Sequence, residues 1–322
     1  MQLPTKKNHH YVWAHYLRRW SCDGKRVWFP SPRGKIICDS VQGVAREQHF
    51  YRANPISERQ LNLLERVFSV HGDHVREIHR RHLEAWRDIQ AMEGALVDQG
   101  QWGRDAAKTL EIHRSNFIEN LHSGHELRAR PVIDALAAHD FSVLNSQESL
   151  IHLMSFLGHQ ITRTKLFRDS CLDTLRDTFT KDLADDFSSA WWFVSYMYGV
   201  NLGWHFFAHR TLERHCVLVT DPEHPFITSD QPIQNVLPKI GTAPPEKADF
   251  VYPICATVAY AICDTDQFAA GVNAVSPDTV NHLNMIQAQR AQSYIFGNSE
   301  AIVRTFWKHR ARKATVTAEN QP

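Results

Sequence analysis

Three histidines near the start of the chain are the first residues whose type and spacing suggest chemistry. His9, His10 and His15 stand in the segment His-His-Tyr-Val-Trp-Ala-His-Tyr-Leu-Arg-Arg-Trp at residues 9–20. Imidazole titrates near neutral pH and offers two nitrogens, so such residues serve in acid–base catalysis or bind metals. Histidines that share a metal on a helix are better placed four residues apart than five, as His10 and His15 are. An acid–base or ligand role for His9 and His10 is therefore one interpretation, and capping or packing against a sheet is the other.

A second polar group follows an apolar strand in the segment Pro225-Phe-Ile-Thr-Ser-Asp-Gln-Pro232. A rigid strand fixes the direction of the side chains at its end, so Asp230 could orient a histidine or hold a divalent ion such as Mg²⁺ or Mn²⁺. The alternative is a local turn, in which Asp230 accepts hydrogen bonds from the backbone before Pro232. Both interpretations stay open from sequence.

A third set is a stripe of amide side chains near the C-terminus, Asn281, Asn284 and Gln287, spaced three residues apart. On a helix such residues share one face. Asn284 could therefore contact a base or a ribose, or the stripe could bond to neighbouring strands.

Composition limits the classes of protein that could carry these groups. The 322 residues are 43% hydrophobic, which is enough for a sizeable core, and 36 Lys and Arg balance 35 Asp and Glu. No global field would attract nucleic acid, so contact with a polyanion needs a local patch. The six cysteines form neither a C-x-x-C pair nor a dense disulfide framework, which predicts a cytoplasmic protein. The opening residues lack the apolar stretch of a secretory signal.

The elements that must position these residues predict an α+β fold. Short strands are expected at 25–30 and 35–39, and again after residue 214 at 216–220, 225–228, 251–254 and 257–263, with a loop at 238–247. Helical periodicity dominates between these two groups of strands. Helices are predicted from Ser57, where a capping box begins, and over 102–121, 127–138, 146–168 and 172–198, with a break at 120–124. We expect one mixed sheet, made of the N-terminal hairpin and the C-terminal strands and covered by a central helical layer. In this scheme residues 1–312 form a single domain, with 1–56 and 214–312 as the sheet part, 57–213 as a helical insertion and 313–322 as a disordered tail.

The segment Trp192 to Ala208 carries no Asp, Glu, Lys or Arg, and its length is at the lower limit of a membrane span. It also contains Ser195, Asn201, His205 and two glycines, and it is aromatic rather than aliphatic. A buried helix and no membrane partner are therefore predicted.

Taken together, these motifs resemble a bacterial domain-of-unknown-function family catalogued as 4238. The resemblance rests on the opening His-His-Tyr-Val, on Tyr16-Leu-Arg-Arg-Trp-Ser21, on Phe50-Tyr51 before a helix with Glu58 and Glu65, and on Phe-Ile-Thr-Ser-Asp-Gln-Pro. It covers nearly the whole chain. Trp13 stands where the family usually has proline. The family has no established activity, so the resemblance groups the chain without giving it a function.

The resemblance also implies that Gln160 and Arg163 belong to a recurrent set. The two residues are three apart and share a helical face, and a guanidinium group can bind phosphate or carboxylate through two parallel bonds. They are thus candidate substrate-binding residues together with Asn284. The competing interpretation is a salt bridge from Arg163 to Glu58 or Glu65.

Two functional hypotheses follow from these residues. The first is a phosphodiester-cleaving enzyme, such as a nuclease effector of a bacterial defence or toxin system. His9, His10 and Asp230 would be catalytic, Gln160, Arg163 and Asn284 would bind the substrate, and a divalent metal is a candidate cofactor. The second is a non-catalytic module that binds a ligand or nucleotide in an aromatic-lined cavity. A third interpretation is structural, with the histidine-rich start joining the two ends of the chain.

Overall fold

The computed structural model describes residues 4–70, 72–237 and 246–310 of the chain. Its N-terminal part contains two small antiparallel ladders, one joining β1 to β4 and one joining β2 to β3. A short helix α1 and a 3-10 turn at Arg18–Trp20 lie between them. The elements are β1 (Asn8–His10), α1 (Ala14–Leu17), β2 (Arg26–Pro30), β3 (Ile36–Ser40) and β4 (Arg46–Gln48).

Seven helices follow in the described part of the middle of the chain. They are α2 (Glu58–Ser69), α3 (Asp73–Asp98), α4 (Arg104–Ala137), α5 (Gln147–Thr162), α6 (Lys165–Thr178), α7 (Lys181–Ser189) and α8 (Trp191–Ala208). Ser57 caps α2 with the predicted capping box, and the Ser146 hydroxyl accepts a bond from the backbone of Ser149 at the start of α5. Each cap satisfies backbone N–H groups that have no partner inside the helix. The central helical layer is thus confirmed.

Helices α5 and α8 pack unusually close together because glycines line their contact. A Cβ atom on Gly158 would lie closer than 3.0 Å to the backbone of Gly199 and Gly203, and one on Gly203 would meet the backbone of Ser155. A Cβ on Gly199 would instead overlap the imidazole ring of His159. The missing side chains therefore let the two backbones touch and leave room for a histidine ring between the helices.

The C-terminal part forms a five-stranded sheet in the order β10-β5-β9-β8-β7, with one parallel pair, β10 and β5. Helix α9 and a two-stranded ladder of β6 and β11 lie beside it. The elements are β5 (Arg214–Val219), β6 (Thr228–Ser229), β7 (Gln234–Asn235), β8 (Asp249–Pro253), β9 (Val258–Cys263), β10 (Gly271–Ala274), α9 (Pro277–Gln289), β11 (Ile295–Phe296) and α10 (Glu300–Trp307).

Aromatic residues of the N-terminal segment tie it to the C-terminal part. The Tyr16 hydroxyl lies 2.6 Å from the Thr228 hydroxyl and donates to the Pro253 carbonyl at 2.7 Å. The Trp20 indole N–H donates to the Phe226 carbonyl at 2.9 Å. Both rings are fully buried, so the polar tip of each needs such a partner. The two ends of the chain are thus joined through Tyr16 and Trp20 rather than through histidines.

The α+β class is confirmed, and several details differ from expectation. The helices expected at 146–168 and 172–198 are divided into α5, α6, α7 and α8, because Thr164 and Thr180 adopt an extended backbone at the starts of α6 and α7. The N-terminal hairpin is a separate sheet, which meets the C-terminal part through an isolated bridge between Trp28 and Gly297. The expected break at 120–124 is absent, and α4 runs through both Gly124 and Pro131. Burial of residues such as Ile118 and Ile133 outweighs the low helix propensity of those two positions. The expected tail lies outside the described residues, as does most of the loop at 238–247.

The apolar segment near residue 200 is the buried helix that was predicted. Ten of its residues, from Trp191 to Phe206, are buried. None of the helices in the described ranges is both long and apolar enough to cross a membrane.

A buried polar cluster beneath a histidine cavity

Both ring nitrogens of His9 are engaged with the backbone. Its Nδ1 accepts a hydrogen bond from the Tyr51 N–H at 2.8 Å, so the proton sits on Nε2, which donates to the Lys6 carbonyl at 2.8 Å. The ring is completely buried and stacks on Tyr51, and burial lowers its pKa. His9 is therefore a neutral residue that holds two loops together.

The other two N-terminal histidines, His10 and His15, each contact a different group. His10 directs Nε2 towards the Gln42 carbonyl at 3.3 Å, and burial lowers its pKa. His15 lies 3.0 Å from the carboxylate of Asp134, which Arg19 also binds. No described contact joins the ring of His10 or His15 to Asp230.

Asp230 binds the backbone of a neighbouring segment. Its carboxylate accepts from the backbone N–H groups of Gln292 and Tyr294 at 2.9 and 3.0 Å, and also from that of Ser293. Burial raises its pKa to about 6, and the three N–H donors oppose that rise. A carboxylate with three backbone donors positions the chain before β11, and these donors lie in a distant segment rather than in the local turn considered from sequence.

Two of the three residues of the amide stripe on α9 bind the segment at 225–231, whereas Asn281 is exposed. Asn284 accepts from the Ile227 N–H and donates to the Pro225 carbonyl, both at 2.9 Å. Gln287 donates to the Ser229 hydroxyl and the Gln231 carbonyl at 2.9 and 2.8 Å. The stripe therefore holds the segment that contains Asp230.

Gln160 and Arg163 converge on one backbone carbonyl. The Gln160 amide and the Arg163 Nε donate to the Tyr11 oxygen at 3.0 and 3.3 Å. Arg163 also forms a buried ion pair with Glu126, with Nη1 and Oε1 2.7 Å apart. Arg163 thus pairs with a glutamate of α4 and not with Glu58 or Glu65 of α2, the partners considered from sequence.

Next to this ion pair lie two histidines, His122 of α4 and His159 of α5, whose ring nitrogens have no hydrogen-bond partner among the described residues. Their ring centroids are 5.4 Å apart. Arg163 Nη2 and Gln160 Oε1 also have no hydrogen-bond partner among the described residues. Burial lowers the pKa of both histidines well below the ordinary value, and among nearby charges that of Arg163 acts in the same direction. So many unsatisfied polar atoms in one place are unusual for a structural core.

The His159 ring connects this cluster to a cavity on the outer side of the helical layer. It lies 4.1 Å from the His125 ring and stacks at 4.6 Å on Tyr196, and both of these residues line the cavity. The cavity has a volume of about 570 Å³ and lies among α3, α4, α5 and α8. We call it the histidine cavity, and its lining residues are His74, Ile78, His82, Asn120, Leu121, Gly124, His125, Arg128, Ile151, Ser155, Tyr196, Val200, Gly203, Trp204 and Phe207.

Four of these side chains form a hydrogen-bonded chain with a definite direction. The Nδ1 of His125 lies 2.9 Å from the Ser155 hydroxyl and 3.3 Å from an Arg128 nitrogen. Since arginine can only donate, Nδ1 is the acceptor and the proton of His125 sits on Nε2. That proton is donated to the Tyr196 oxygen at 3.2 Å, which leaves the Tyr196 hydroxyl to donate to His82 Nε2 at 2.9 Å.

The members of this chain are neutral. Burial lowers the pKa of His125 to about 3, assisted by Arg128, and burial also lowers the pKa of His82. Burial raises the pKa of Tyr196 well above its ordinary value. The Ser155 oxygen, which donates its proton to His125, keeps lone pairs that can accept from a ligand.

Sequence reasoning missed this set, although one signal was present. His122 and His125 are three residues apart and His159 is on the next helix, but both His122 and His125 lay between the helices predicted over 102–121 and 127–138. With α4 continuous, the i, i+3 spacing would have placed both histidines near one face.

A second cleft, of about 770 Å³, lies between α6 and the start of α8. Three arginines line it, and each already has a carboxylate partner: Arg52 binds Glu111, Arg168 binds Asp169 and Arg176 binds Asp173. Because a ligand would have to compete with these ion pairs, the histidine cavity is the stronger candidate.

Within the described ranges no group of three or more His, Cys, Asp or Glu side chains could hold a metal ion.

Residues 8–301 match the family DUF4238, which is described as a protein of unknown function. No curated protein and no solved structure matches the chain. Since the match covers most of the 322 residues, the chain belongs to the DUF4238 family.

Proposed function

We propose that the protein is a non-catalytic binding module that holds a small organic molecule in the histidine cavity. The observation that carries the proposal is the chain Ser155, His125, Tyr196 and His82 in a cavity whose other walls are largely apolar and aromatic. A few oriented polar groups in an apolar pocket of several hundred Å³ are typical of small-molecule sites. The apolar body would pack on residues such as Trp204 and Phe207, with a polar group near Ser155.

Binding is favoured over turnover because the Ser155–His125 pair is poorly suited to act on a substrate. A general base works best with a pKa near the operating pH, whereas burial holds the pKa of His125 at about 3. In serine hydrolases a carboxylate behind the histidine stabilises its cationic form. Here the second nitrogen of His125 faces the hydroxyl of Tyr196.

Filling the cavity with a larger side chain tests whether it is the binding site. Gly124 lies in the middle of α4, and a Cβ built there meets only the flexible end of Arg128, at 3.6 Å. Gly124→Leu should therefore place a side chain in the cavity without loss of helix stability, because leucine favours helix over glycine. Gly94→Leu is the matched control, since Gly94 is on α3 outside the cavity and a Cβ there meets nothing within 4 Å.

The probe is naphthalene-2-carboxamide, and binding is measured by titration calorimetry. We expect the wild type and Gly94→Leu to bind one equivalent, and Gly124→Leu to bind at least tenfold more weakly. Equal affinity in all three proteins, or no binding to the wild type, would overturn the proposal.

A phosphodiester-cleaving enzyme of a bacterial defence or toxin system is the second proposal. The observation in its favour is that Arg163 Nη2 and Gln160 Oε1 have no partner among the described residues. Against it, the described contacts give His9 and Asp230 backbone partners. RNA and DNA are incubated with the protein and Mg²⁺, Mn²⁺ or EDTA, and with His10→Ala. Cleavage that is lost in His10→Ala would favour the enzyme, and intact substrates in every reaction would count against it.

A further inference from the structure

Among the described residues, the histidine cavity is lined by a positive charge and by no carboxylate. Among its lining residues there is one arginine, Arg128, and no aspartate, glutamate or lysine. His82 and His125 are kept neutral by burial. A cation entering the cavity would therefore meet a like charge and no carboxylate, whereas an anion would meet a guanidinium group.

Arg128 also lacks the partner that its neighbours on α4 have. Arg114 is bound by Glu93 and Arg130 by Asp134, but within the described ranges no carboxylate lies at ion-pair distance from Arg128. Its guanidinium group folds back over Gly124 and contacts the His125 ring at 3.3 Å. The side chain thus presents its charge at the cavity, where its field lowers the pKa of Tyr196 against the effect of burial.

From this arrangement we infer that the ligand of the histidine cavity is an apolar carboxylic acid, bound as its carboxylate by Arg128. The inference rests on the proposed binding function and names its ligand class. The planar guanidinium group can donate two parallel hydrogen bonds to a carboxylate, while the apolar body packs on Ile151, Val200 and Phe207. One arginine balances one negative charge and leaves a phosphate dianion half neutralised, so a single negative charge fits the site better.

The test compares three probes of one shape and different charge: naphthalene-2-carboxylate, naphthalene-2-carboxamide and 2-(aminomethyl)naphthalene. We expect the wild type to bind the carboxylate at least tenfold more tightly than the amide, and the amine most weakly. Arg128→Gln should reduce carboxylate affinity at least tenfold and leave amide affinity within threefold. Arg128→Lys should keep part of the preference, because lysine retains the charge but not the planar pair of donors.

Arg104→Gln is the matched control for the loss of one positive charge. Arg104 is exposed at the start of the same helix, 24 positions before Arg128, which corresponds to ~36 Å along the axis. This variant should bind the carboxylate as the wild type does.

The possible outcomes distinguish a failure of the carboxylate inference from a failure of the proposed binding function. If all three probes bind equally well and Gly124→Leu weakens each of them, the cavity is a binding site and the carboxylate inference is wrong. The same conclusion follows if Arg128→Gln leaves carboxylate affinity unchanged. If none of the probes binds to the wild type, the proposed function itself fails.

Discussion

Replacing Glu126 by glutamine should destabilise the fold by about 3–5 kcal/mol, because it leaves a charged arginine unpaired in the interior. The Arg163 side chain is 2% exposed and that of Glu126 15%, so solvent can replace little of the lost interaction. Burial is the largest single influence and lowers the pKa of Arg163, but Glu126, Tyr51 and Glu119 together outweigh it and raise the pKa overall. Because a guanidinium group does not lose its proton in proteins, Arg163 stays charged when Glu126 is replaced.

The reverse substitution should cost less. Arg163→Met removes the cation and leaves Glu126, whose pKa burial already raises, so this carboxyl group can become neutral by taking up a proton. Removing both charges in Glu126→Gln/Arg163→Met should then recover at least about 1 kcal/mol relative to Glu126→Gln alone, since no unpaired charge remains. A double variant that is more stable than one of its single variants is the diagnostic result.

The assay is urea unfolding followed by tryptophan fluorescence and far-UV circular dichroism on the wild type and the three variants. Glu77→Gln serves as the control, because Glu77 forms an exposed ion pair with Arg80 and its loss should cost less than about 0.5 kcal/mol. The reasoning is refuted if Glu126→Gln costs under about 1 kcal/mol or if the costs of the two single substitutions add. Simple additivity would mean that Arg163 is open to water or ligand, as the phosphate-binding hypothesis requires.

Three further predictions concern packing, protonation and thiol chemistry. Gly199→Ala should destabilise the protein by at least about 3 kcal/mol in the same urea assay, because the new methyl group overlaps the His159 ring between α5 and α8. Burial raises the pKa of Glu119 from 4.5 to about 7, so the fold favours the protonated form; this contribution, about 3 kcal/mol, is complete below pH 4.5 and lost as the pH rises to 7. The stability difference between wild type and Glu119→Gln should follow that curve, and a difference independent of pH would contradict it. The thiols of Cys22 and Cys38 lie 3.6 Å apart, so we expect a hydroperoxide to convert them to one disulfide, with water and the alcohol as products. Mass spectrometry should show the loss of two hydrogen atoms, absent in Cys38→Ser, and two free thiols after treatment would contradict the expectation.

Local signals in the sequence located many elements because they act over a few residues. The capping box at Ser57 and the serine at 146 begin helices as predicted, and the strand at 258–263 lies within the expected one. The course of α4 was not predicted, because Gly124 lowers local helix propensity while the packing that offsets it is contributed by other helices. The N-terminal hairpin was predicted, but its separation from the C-terminal sheet was not, since pairing between distant strands leaves no mark within either strand.

The candidate site was harder to predict than the elements, because residue type does not reveal which partners a side chain finds. His9 and Asp230 have the right groups for catalysis, yet both receive bonds from backbone N–H groups far away in the chain. Ser155 and Tyr196 have nothing unusual in their sequence context. Their importance comes from His125, which lies between them only because α4, α5 and α8 meet at one cavity.

The residues that carry the family resemblance act on a common stretch of backbone. Gln160 and Arg163 donate to the Tyr11 carbonyl, and the neighbouring His9 binds the Tyr51 N–H, while the Tyr51 hydroxyl donates to the Arg163 carbonyl. These bonds fasten β1 and the segment after it to the end of α5, and they keep Arg163 beside Glu126. The motifs of the family resemblance thus include a set of hydrogen bonds that holds β1 against α5. We call this set the brace, and it lies beside His122 and His159.

The cavity residues Ser155, His125 and Arg128 lie outside those motifs, on the outer side of the same helices. The brace fixes the positions of α4 and α5. It therefore constrains where the cavity side chains lie, but not which residue types they are. We therefore expect family members to share the Gln160 and Arg163 brace and to differ in the residues that correspond to Arg128. Such a division would let one fold bind ligands of different charge, because changing a single side chain at the cavity leaves the brace intact.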